Sequence, residues 1–291
     1  MINRRTFIRN SSLIALAVPF RRMPVLSNLS VGKLSAFGIQ LYMVRDAMEK
    51  DPLGTLKQLG QMGYSQIESY GSSKGMFWGM SNKEFKKASS NFGLNLISSH
   101  YNDGEMPFEK QVEQAAEIGM KYLICPWKGP QKSIDAFKKI ADDFNYRGKI
   151  CKNHGLRFAY HPHDYPYKKI DDQLPIDVLL NNTDKDLVDF EMDFYYTVTE
   201  GQDPEAYLKK YKNRFKLCHM RNVLKERLPA GSKDESASDL EHGVINYPHL
   251  LKVALNNGVD YFFVEQSRYY QETPLQSAKV NAGYMKHLHL V

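Results

Sequence analysis

The chain has 291 residues, 42% of them hydrophobic, which allows a large buried core and excludes a disordered or disulfide-stapled protein. Its formal net charge of +6 includes five arginines in the first 30 residues, a stretch without acids, so the remainder carries 6 − 5 = +1. A nearly neutral domain lacks the basic face of a duplex-binding protein, and we expect no nucleic-acid partner.

The N-terminal segment has a basic head and a short apolar stretch. NRRTFIR (3–9) is followed by SSLIALAV (11–18), a pattern that resembles a twin-arginine export signal. The apolar stretch is too short to span a bilayer. We therefore expect residues 1–30 to be an export signal and linker. The prediction is a periplasmic or otherwise exported protein without stable membrane insertion, with a single domain over residues 31–291.

Eight short apolar runs follow the leader, and most are separated by amphipathic segments with helical spacing. The runs are 37–42, 66–69, 94–98, 122–126, 157–160, 187–192, 215–219 and 261–265. The helical patterns cover 53–62, 84–92, 109–118, 134–153, 204–211 and 247–256. Five glycines, expected to end helices in the left-handed region, stand between a helical pattern and the next run: Gly63, Gly93, Gly119, Gly155 and Gly258.

Eight strands that alternate with helices favour a single-domain (β/α)8 TIM barrel. A doubly wound open sheet is the alternative, but no glycine-rich phosphate loop follows the first strand. Cys125, Cys151 and Cys218 lie far apart in apolar contexts and are expected to be reduced core residues. The segment 222–243 has no clear helical pattern, so it is either a mobile lid, with His242 as its most interesting member, or a disordered insertion.

Polar side chains close most of the predicted strands. In chain order they are Glu68, His100, Trp127 and Lys128, His161 and His163, Asp193, His219 and Arg221, and Glu265 and Gln266. A lone histidine at a strand end is commonly a hydrogen-bonded rim residue. In a barrel, however, these ends converge on one face, where carboxylate oxygens and imidazole nitrogens together suit a divalent ion such as Mn, Co or Zn.

Short segments spread over the chain after the leader carry a family resemblance. They are GIQLY (38–42) with VRD (44–46), DPLGTL (51–56), GY (63–64) with IE (67–68), YHPHD (160–164), EMDFY (191–195), GQDP (201–204) and VEQ (264–266). Together they resemble the xylose isomerase-like barrel family, also called sugar phosphate isomerases/epimerases, with apurinic endonucleases as distant relatives.

The resemblance implies one divalent metal ion, Mn, Co, Zn or Mg, held by Glu, Asp, His and Glu from strands five to eight. Asp193, His219 and Glu265 map onto the last three positions. His161 stands where glutamate is common, which puts both this ligand and a shared proton-transfer role in question. The predicted metal set is His161, Asp193, His219 and Glu265.

Further roles are assigned by position. Glu265, His163 and His100 are the candidates for proton transfer, and His163 could instead orient a ligand or a substrate hydroxyl. The predicted substrate-binding residues, with Trp127 as a sugar platform, are Glu68, Trp127, Lys128, Arg221 and Gln266. Lys128 and Arg221 could equally pair with neighbouring acids. Glu191 shares a strand face with Asp193, pointing inward or lying lower as the partner of a barrel arginine.

The resulting hypothesis is a metal-dependent carbohydrate isomerase or epimerase that removes a proton next to a sugar carbonyl. Export favours an unphosphorylated sugar. The alternatives are a lyase or hydratase on 3-keto sugars or glycosides and a non-catalytic sugar-binding barrel. An endonuclease is disfavoured by the near-neutral charge and by Tyr196, which stands where the nuclease motif uses histidine. Whether the protein forms a homo-oligomer is left open.

Overall fold

Eight parallel strands close into a barrel in the computed structural model, which describes residues 29–30, 32–104, 106–224, 237–267 and 271–291. The strands are β1 (Gly38–Gln40), β2 (Gln66–Tyr70), β3 (Asn95–His100), β4 (Tyr122–Cys125), β5 (Arg157–Tyr160), β6 (Val188–Asp193), β7 (Phe215–Met220) and β8 (Tyr261–Val264). Each strand pairs with its neighbours in chain order, and β8 pairs with β1. The predicted (β/α)8 fold is confirmed.

Closure of the barrel depends on a residue without a side chain at the seam. Gly38 lies opposite Phe263 in the register of β1 and β8. A Cβ atom at Gly38 would lie 2.4 Å from Cδ1 of Phe263, closer than real contacts allow. Only glycine therefore lets the large Phe263 ring pack against β1 at this point.

Ten α-helices surround the barrel within the described residues. They are α1 (Arg45–Lys50), α2 (Pro52–Met62), α3 (Asn82–Asn91), α4 (Phe108–Glu117), α5 (Ile134–Asn153), α6 (Pro175–Asn182), α7 (Phe194–Thr199), α8 (Pro204–Lys210), α9 (Tyr247–Asn256) and α10 (Pro274–His287). The six predicted helices are confirmed to within two residues at each end, whereas α1, α6, α7 and α10 lie outside the predicted patterns.

Local sequence explains where many helices begin and end. At α2, the Asp51 side chain accepts a hydrogen bond from the Gly54 amide at 2.9 Å, and Pro52 occupies the first helical turn. Gly63 ends the same helix with φ of 99°. All five glycines predicted to end helices have positive φ values between 72° and 99°.

The hydrophobic core has two parts. The larger cluster joins the barrel to the surrounding helices. A smaller cluster consists of Ile97, Tyr122, Ile124, Ala159, Leu217 and Phe263. Leu217 shares a strand face with His219, and Phe263 shares one with Glu265, so this cluster forms an apolar layer below the polar end of the barrel interior.

Several predictions concern segments beyond the barrel. Residues 1–28 and 225–236 lie outside the described part of the chain, so the export signal and the lid remain predictions. After β7, Asn222–Val223 pairs antiparallel with Ala237–Ser238, and His242 is exposed in the turn Leu240–His242. The three cysteines are buried and free. No helix among the described residues is long and apolar enough to cross a membrane.

Candidate metal centre and substrate cavity

A cavity of about 420 Å³ opens at the carboxyl ends of the strands. Aromatic rings and imidazoles dominate its wall. The lining residues are Gln40, Tyr42, Tyr70, Gly71, His100, Tyr101, Asn102, Pro126, Trp127, His161, His163, Tyr196, His219, Arg221, Glu265 and Ser267. The predicted residues that reach the cavity are His100, Trp127, His161, His163, His219, Arg221 and Glu265.

Three histidines from different strands surround one buried carboxylate, Glu191. Its Oε2 atom lies 3.0 Å from Nε2 of His100, 3.3 Å from Nε2 of His219 and 3.6 Å from Nδ1 of His161. We call these four residues the deep set. They could hold a metal ion, because each offers a ligand atom within 4.8 Å of the others. Glu191 thus occupies the barrel interior, and the barrel arginine Arg157 pairs with Asp189 instead.

Asp193, His219 and Glu265 form a second group with metal-ligand spacing, here called the mouth set. Their ligand atoms also lie within 4.8 Å of one another, and all three side chains are buried. Asp193 is the last residue of β6 and the N-cap of α7, where its Oδ1 atom accepts a hydrogen bond from the Tyr196 amide at 2.9 Å. The strand-to-helix turn therefore fixes this carboxylate, and the two sets share His219.

The positive charge of Arg221 offsets part of the negative charge of the mouth set. Its Nη2 atom lies 3.2 Å from Oδ2 of Asp193, and its Nη1 atom lies 3.7 Å from Oε2 of Glu265. The guanidinium also stacks on two tyrosines, with Cζ 4.3 Å from the ring centre of Tyr195 and 4.4 Å from that of Tyr196. Because it is almost fully buried, its position is set by these contacts.

The unpartnered atoms of the cluster test whether a divalent ion fits. Nδ1 of His161, Nδ1 of His219 and Oε1 of Glu191 are buried and have no hydrogen-bond partner among the described residues. Buried polar atoms are normally satisfied, and an orphaned imidazole nitrogen is a natural metal ligand. The residues present therefore fit a divalent metal ion with mixed nitrogen and oxygen ligands.

Charges within the cluster set the protonation of its members. Burial opposes a charge on His100, but Glu68 and Glu191 outweigh it and raise the pKa of His100 to about 10. Burial and the nearby charge of Glu68 raise the pKa of Glu191 to about 7. Burial, assisted by Arg221, lowers the pKa of His163 to about 3, and burial also holds the pKa of His161 well below its ordinary value. These two histidines are therefore neutral, and their ring nitrogens can act as metal ligands or as hydrogen-bond partners.

Glu68, predicted to touch the substrate, lies beneath the cavity. It is fully buried, and it accepts hydrogen bonds from Nε2 of Gln40 at 2.8 Å and from Oγ of Ser98 at 2.6 Å. Its Oε1 atom is 2.7 Å from Nε2 of His219. Burial raises the pKa of Glu68, but His100 and His219 outweigh burial and hold it below the ordinary value. Glu68 is therefore ionised, and its negative charge stabilises the imidazoles of His100 and His219.

Lys128 and Gln266 also lie outside the described cavity wall. The Lys128 ammonium lies 3.0 Å from the Asp143 carboxylate, so the pairing with a neighbouring acid is the one observed. Gln266 follows Glu265 and alternates to the opposite side, where its Oε1 atom accepts a hydrogen bond from Asn281 of α10 at 3.0 Å. Strand alternation explains why only Glu265 of this pair faces the cavity.

Aromatic side chains form the upper wall. Trp127 is 50% exposed, and its ring stands edge-on to His163 and Tyr165 with centroid distances of 4.8 and 4.7 Å. Sequence reasoning assigned no site role to Gln40 or Tyr42, although both lie in the segment GIQLY that closes β1. The polar residue at the end of β1, Gln40, was the feature of the sequence that could have indicated a site role.

The protein is a (β/α)8 barrel in which imidazoles and carboxylates meet at the carboxyl ends of the strands. The chain belongs to the xylose isomerase-like TIM barrel family, whose model matches residues 56–288. The family predicted from the sequence motifs is confirmed.

Known proteins similar to this chain include both curated relatives and solved structures. An inosose dehydratase from Clostridium beijerinckii is 27% identical over 163 residues, covering 51% of this chain and 54% of that protein. The chain therefore spans about half the length of the curated relatives it matches. A sugar phosphate isomerase/epimerase from Parabacteroides distasonis has 25% identity and a TM-score of 0.74, with 90% of this chain and 96% of that chain covered.

A third similar protein was solved with a metal ion. The IOLI protein with a zinc atom has a TM-score of 0.69, with 87% of this chain and 99% of that chain covered. Its sequence identity to this chain is 15%, so the likeness shows the shared fold alone.

Proposed function

We propose that this protein is a divalent-metal-dependent enzyme that removes a proton next to the carbonyl of an unphosphorylated carbohydrate. The observation that carries the proposal is the shared histidine, His219, which lines an aromatic-rich cavity and belongs to two groups with metal-ligand spacing. The enzymatic names of the similar proteins, a dehydratase and an isomerase/epimerase, support catalysis rather than binding alone.

The metal ion would be held around His219 by neighbouring carboxylates, with His161 close by. When bound, such an ion supplies Lewis-acid polarisation of a sugar carbonyl and holds the adjacent hydroxyl. Mixed oxygen and nitrogen ligands suit Zn, Mn or Co, and carboxylate oxygens also suit Mg. The IOLI protein, which shares the fold, was solved with a zinc atom. The buried lining residues His161, His219 and Arg221 lie in a low-dielectric environment, which strengthens electrostatic interactions with the substrate.

Proton transfer is assigned to side chains that reach the cavity. Glu265 lines the cavity and presents a carboxylate, which can accept a proton from carbon. His163 lies on the wall beside Trp127 and His161, where its imidazole can exchange a proton with a substrate hydroxyl. With a proton-transferring group at each of two positions, a proton could leave one face of a carbon atom. It could then return to the other face of that carbon or to the neighbouring carbon.

The cavity wall favours a neutral sugar over a phosphorylated one. Of its described residues, Arg221 alone is a lysine or arginine, and it already contacts Asp193 and Ser267. A phosphate group normally needs several charged or backbone donors. Export, which the N-terminal segment predicts, would give the same preference because sugar phosphates are chiefly cytosolic. Trp127 and Tyr42 offer aromatic faces against which a sugar ring can pack.

Elimination of water is the second candidate reaction. It shares the first proton abstraction, after which a hydroxyl group leaves the neighbouring carbon. The curated relatives named inosose dehydratase favour this outcome, whereas the isomerase/epimerase structure favours return of the proton. A 3-keto sugar or glycoside would serve either reaction, because its carbonyl acidifies both neighbouring carbons.

The experiment is to incubate zinc-, manganese- or cobalt-loaded protein in deuterated water with aldoses, ketoses and 3-keto glycosides. Deuterium beside the carbonyl with otherwise unchanged product mass would indicate isomerisation or epimerisation, and loss of the mass of water would indicate elimination. We expect Glu265→Gln to abolish exchange. The matched control is His249→Gln, which changes an exposed histidine paired with Glu205 on the surface.

Two results would contradict the proposal. Full activity after complete removal of metal would exclude metal dependence. Tight metal and sugar binding without deuterium exchange in any sugar would instead indicate a non-catalytic sugar-binding barrel.

A further inference from the structure

The indole of Trp127 is half exposed, but several contacts restrict its position. Trp127 lies in the irregular segment 126–131 between β4 and α5. Its ring stands edge-on to His163 and Tyr165, with centroid distances of 4.8 and 4.7 Å. Gly129 has φ of 73°, and a Cβ atom there would lie 3.4 Å from Nε1 of the indole. The segment therefore packs closely around a side chain that lines the cavity.

Both polar atoms of the peptide group between Trp127 and Lys128 are hydrogen-bonded. The Trp127 carbonyl accepts a hydrogen bond from Sγ of Cys125 at 3.8 Å, and the Lys128 N–H donates one to the Tyr165 hydroxyl at 3.0 Å. A thiol is a weak donor, so the bond to Tyr165 is the stronger of the two. Tyr165 is buried, which shields this bond from competing water. The peptide group next to the indole is thus held chiefly by one hydroxyl.

The Tyr165 hydroxyl is itself held by the barrel. Tyr165 begins the short 3-10 helix Tyr165–Tyr167, which follows β5 in the chain. Its hydroxyl lies 2.7 Å from the hydroxyl of Tyr160, the last residue of β5, and both side chains are buried. The Tyr165 ring also stacks on Phe137 of α5, with a centroid distance of 6.4 Å. A strand and a helix therefore determine where the hydroxyl meets the Lys128 N–H.

We propose that Tyr165 is a positioning residue that holds the Trp127 indole in place as the platform for the sugar. The platform role of Trp127 rests on the proposed function, whereas the fixed position of the indole does not. Tyr165 is not among the residues that line the described cavity, so its effect on the substrate is indirect. A side chain that is ordered before binding loses no rotamer freedom when the sugar arrives. Loss of this order should therefore weaken sugar binding and leave the proton-transfer groups in place.

Fluorine-19 NMR of protein labelled with fluorotryptophan measures the order of the indole directly. The chain has two tryptophans, Trp78 and Trp127, so the spectrum has two signals. Trp78 is buried and serves as the internal reference, and the Trp127 signal is the one missing from Trp127→Phe. We expect the wild-type Trp127 signal to be broad and displaced from its position in unfolded protein. In Tyr165→Phe it should narrow and move toward that position, while the Trp78 signal stays in place.

Tyr160→Phe is the matched control. It removes the same contact between the two hydroxyls, but it leaves the Tyr165 hydroxyl to accept the Lys128 N–H. We therefore expect the wild-type Trp127 signal in this variant. An unchanged Trp127 signal in Tyr165→Phe, or equal changes in the two variants, would overturn the inference. If Tyr165→Phe does not fold, Lys128→Pro removes the donor of the same hydrogen bond, and a wild-type Trp127 signal there would refute the role of that bond.

Steady-state kinetics tests the consequence for sugar binding. With a sugar that the deuterium-exchange panel identifies, Tyr165→Phe should raise KM about threefold with little change in kcat, because the order of one side chain is lost. Tyr160→Phe should keep the wild-type KM. A mobile indole with an unchanged KM would overturn the inference. If the wild type turns over no sugar, the proposed function fails, and the NMR spectra still decide whether Tyr165 holds Trp127.

Discussion

Replacing Arg221 with methionine should destabilise the metal-free protein far more than the metal-loaded protein. The guanidinium is almost fully buried and lies 3.2 Å from Asp193 and 3.7 Å from Glu265. Methionine keeps much of the packing volume but leaves two buried carboxylates without their cation. A divalent ion at the mouth set would supply the missing positive charge.

The magnitude follows from the burial of the pair. Removing one partner of a buried ion pair costs about 3–5 kcal/mol, because the remaining charge is uncompensated. Loss of the stacking on Tyr195 and Tyr196 adds about 1 kcal/mol. For a domain of this size the sum corresponds to a fall in Tm on the order of 10 °C. Saturating zinc should restore the electrostatic part and leave the stacking loss.

The assay is thermal unfolding followed by circular dichroism, with and without zinc. Arg157→Met is the matched control: Arg157 begins β5, and its Nε and Nη2 atoms lie 2.7 and 2.8 Å from the buried Asp189 carboxylate. Both variants should lose stability without metal, but zinc should reduce the difference from wild type in Arg221→Met alone. If zinc leaves both differences unchanged, Asp193 and Glu265 do not bind the ion.

Three further predictions concern separate features. Trp127→Ala should raise KM about tenfold with little change in Tm, because this half-exposed ring is the proposed platform for the sugar. Steady-state kinetics would check this, and an unchanged KM would contradict it. A thiol reagent should label none of Cys125, Cys151 and Cys218 in the native protein and all three after denaturation, since each is buried and burial raises its pKa. Ser81→Ala should lower the free energy of unfolding by about 1 kcal/mol in urea titrations by removing the cap of α3, and no change would show that the cap is dispensable.

Local patterns predicted much of the fold, but they failed where tertiary packing overrides propensity. The helix α7 has the sequence FYYTVT, whose aromatic and β-branched residues favour strands. It is helical because the Asp193 side chain caps it and because five of its six residues are buried. The short helix α1 and the terminal α10 were likewise absent from the predicted patterns.

The candidate site was only partly accessible from the sequence. Strand ends supplied His100, His161 and His219, which the structure brings together around Glu191. The face shared by Glu191 and Asp193 also followed from strand alternation. The hydrogen bond between His219 and Glu68 could not be predicted in this way, because these residues lie 151 positions apart and meet only across the closed barrel.

The sequence by itself determined the periodic features of this protein: eight apolar runs, the glycines that end helices, and the polar residues that close strands. These depend on residue spacing and backbone conformation, which neighbouring residues encode. Only the tertiary structure decided that two ligand sets share His219 and that Lys128 and Gln266 lie outside the described cavity wall. Strand register, strand irregularities and barrel closure govern those contacts, and they arise from packing between residues far apart in the chain.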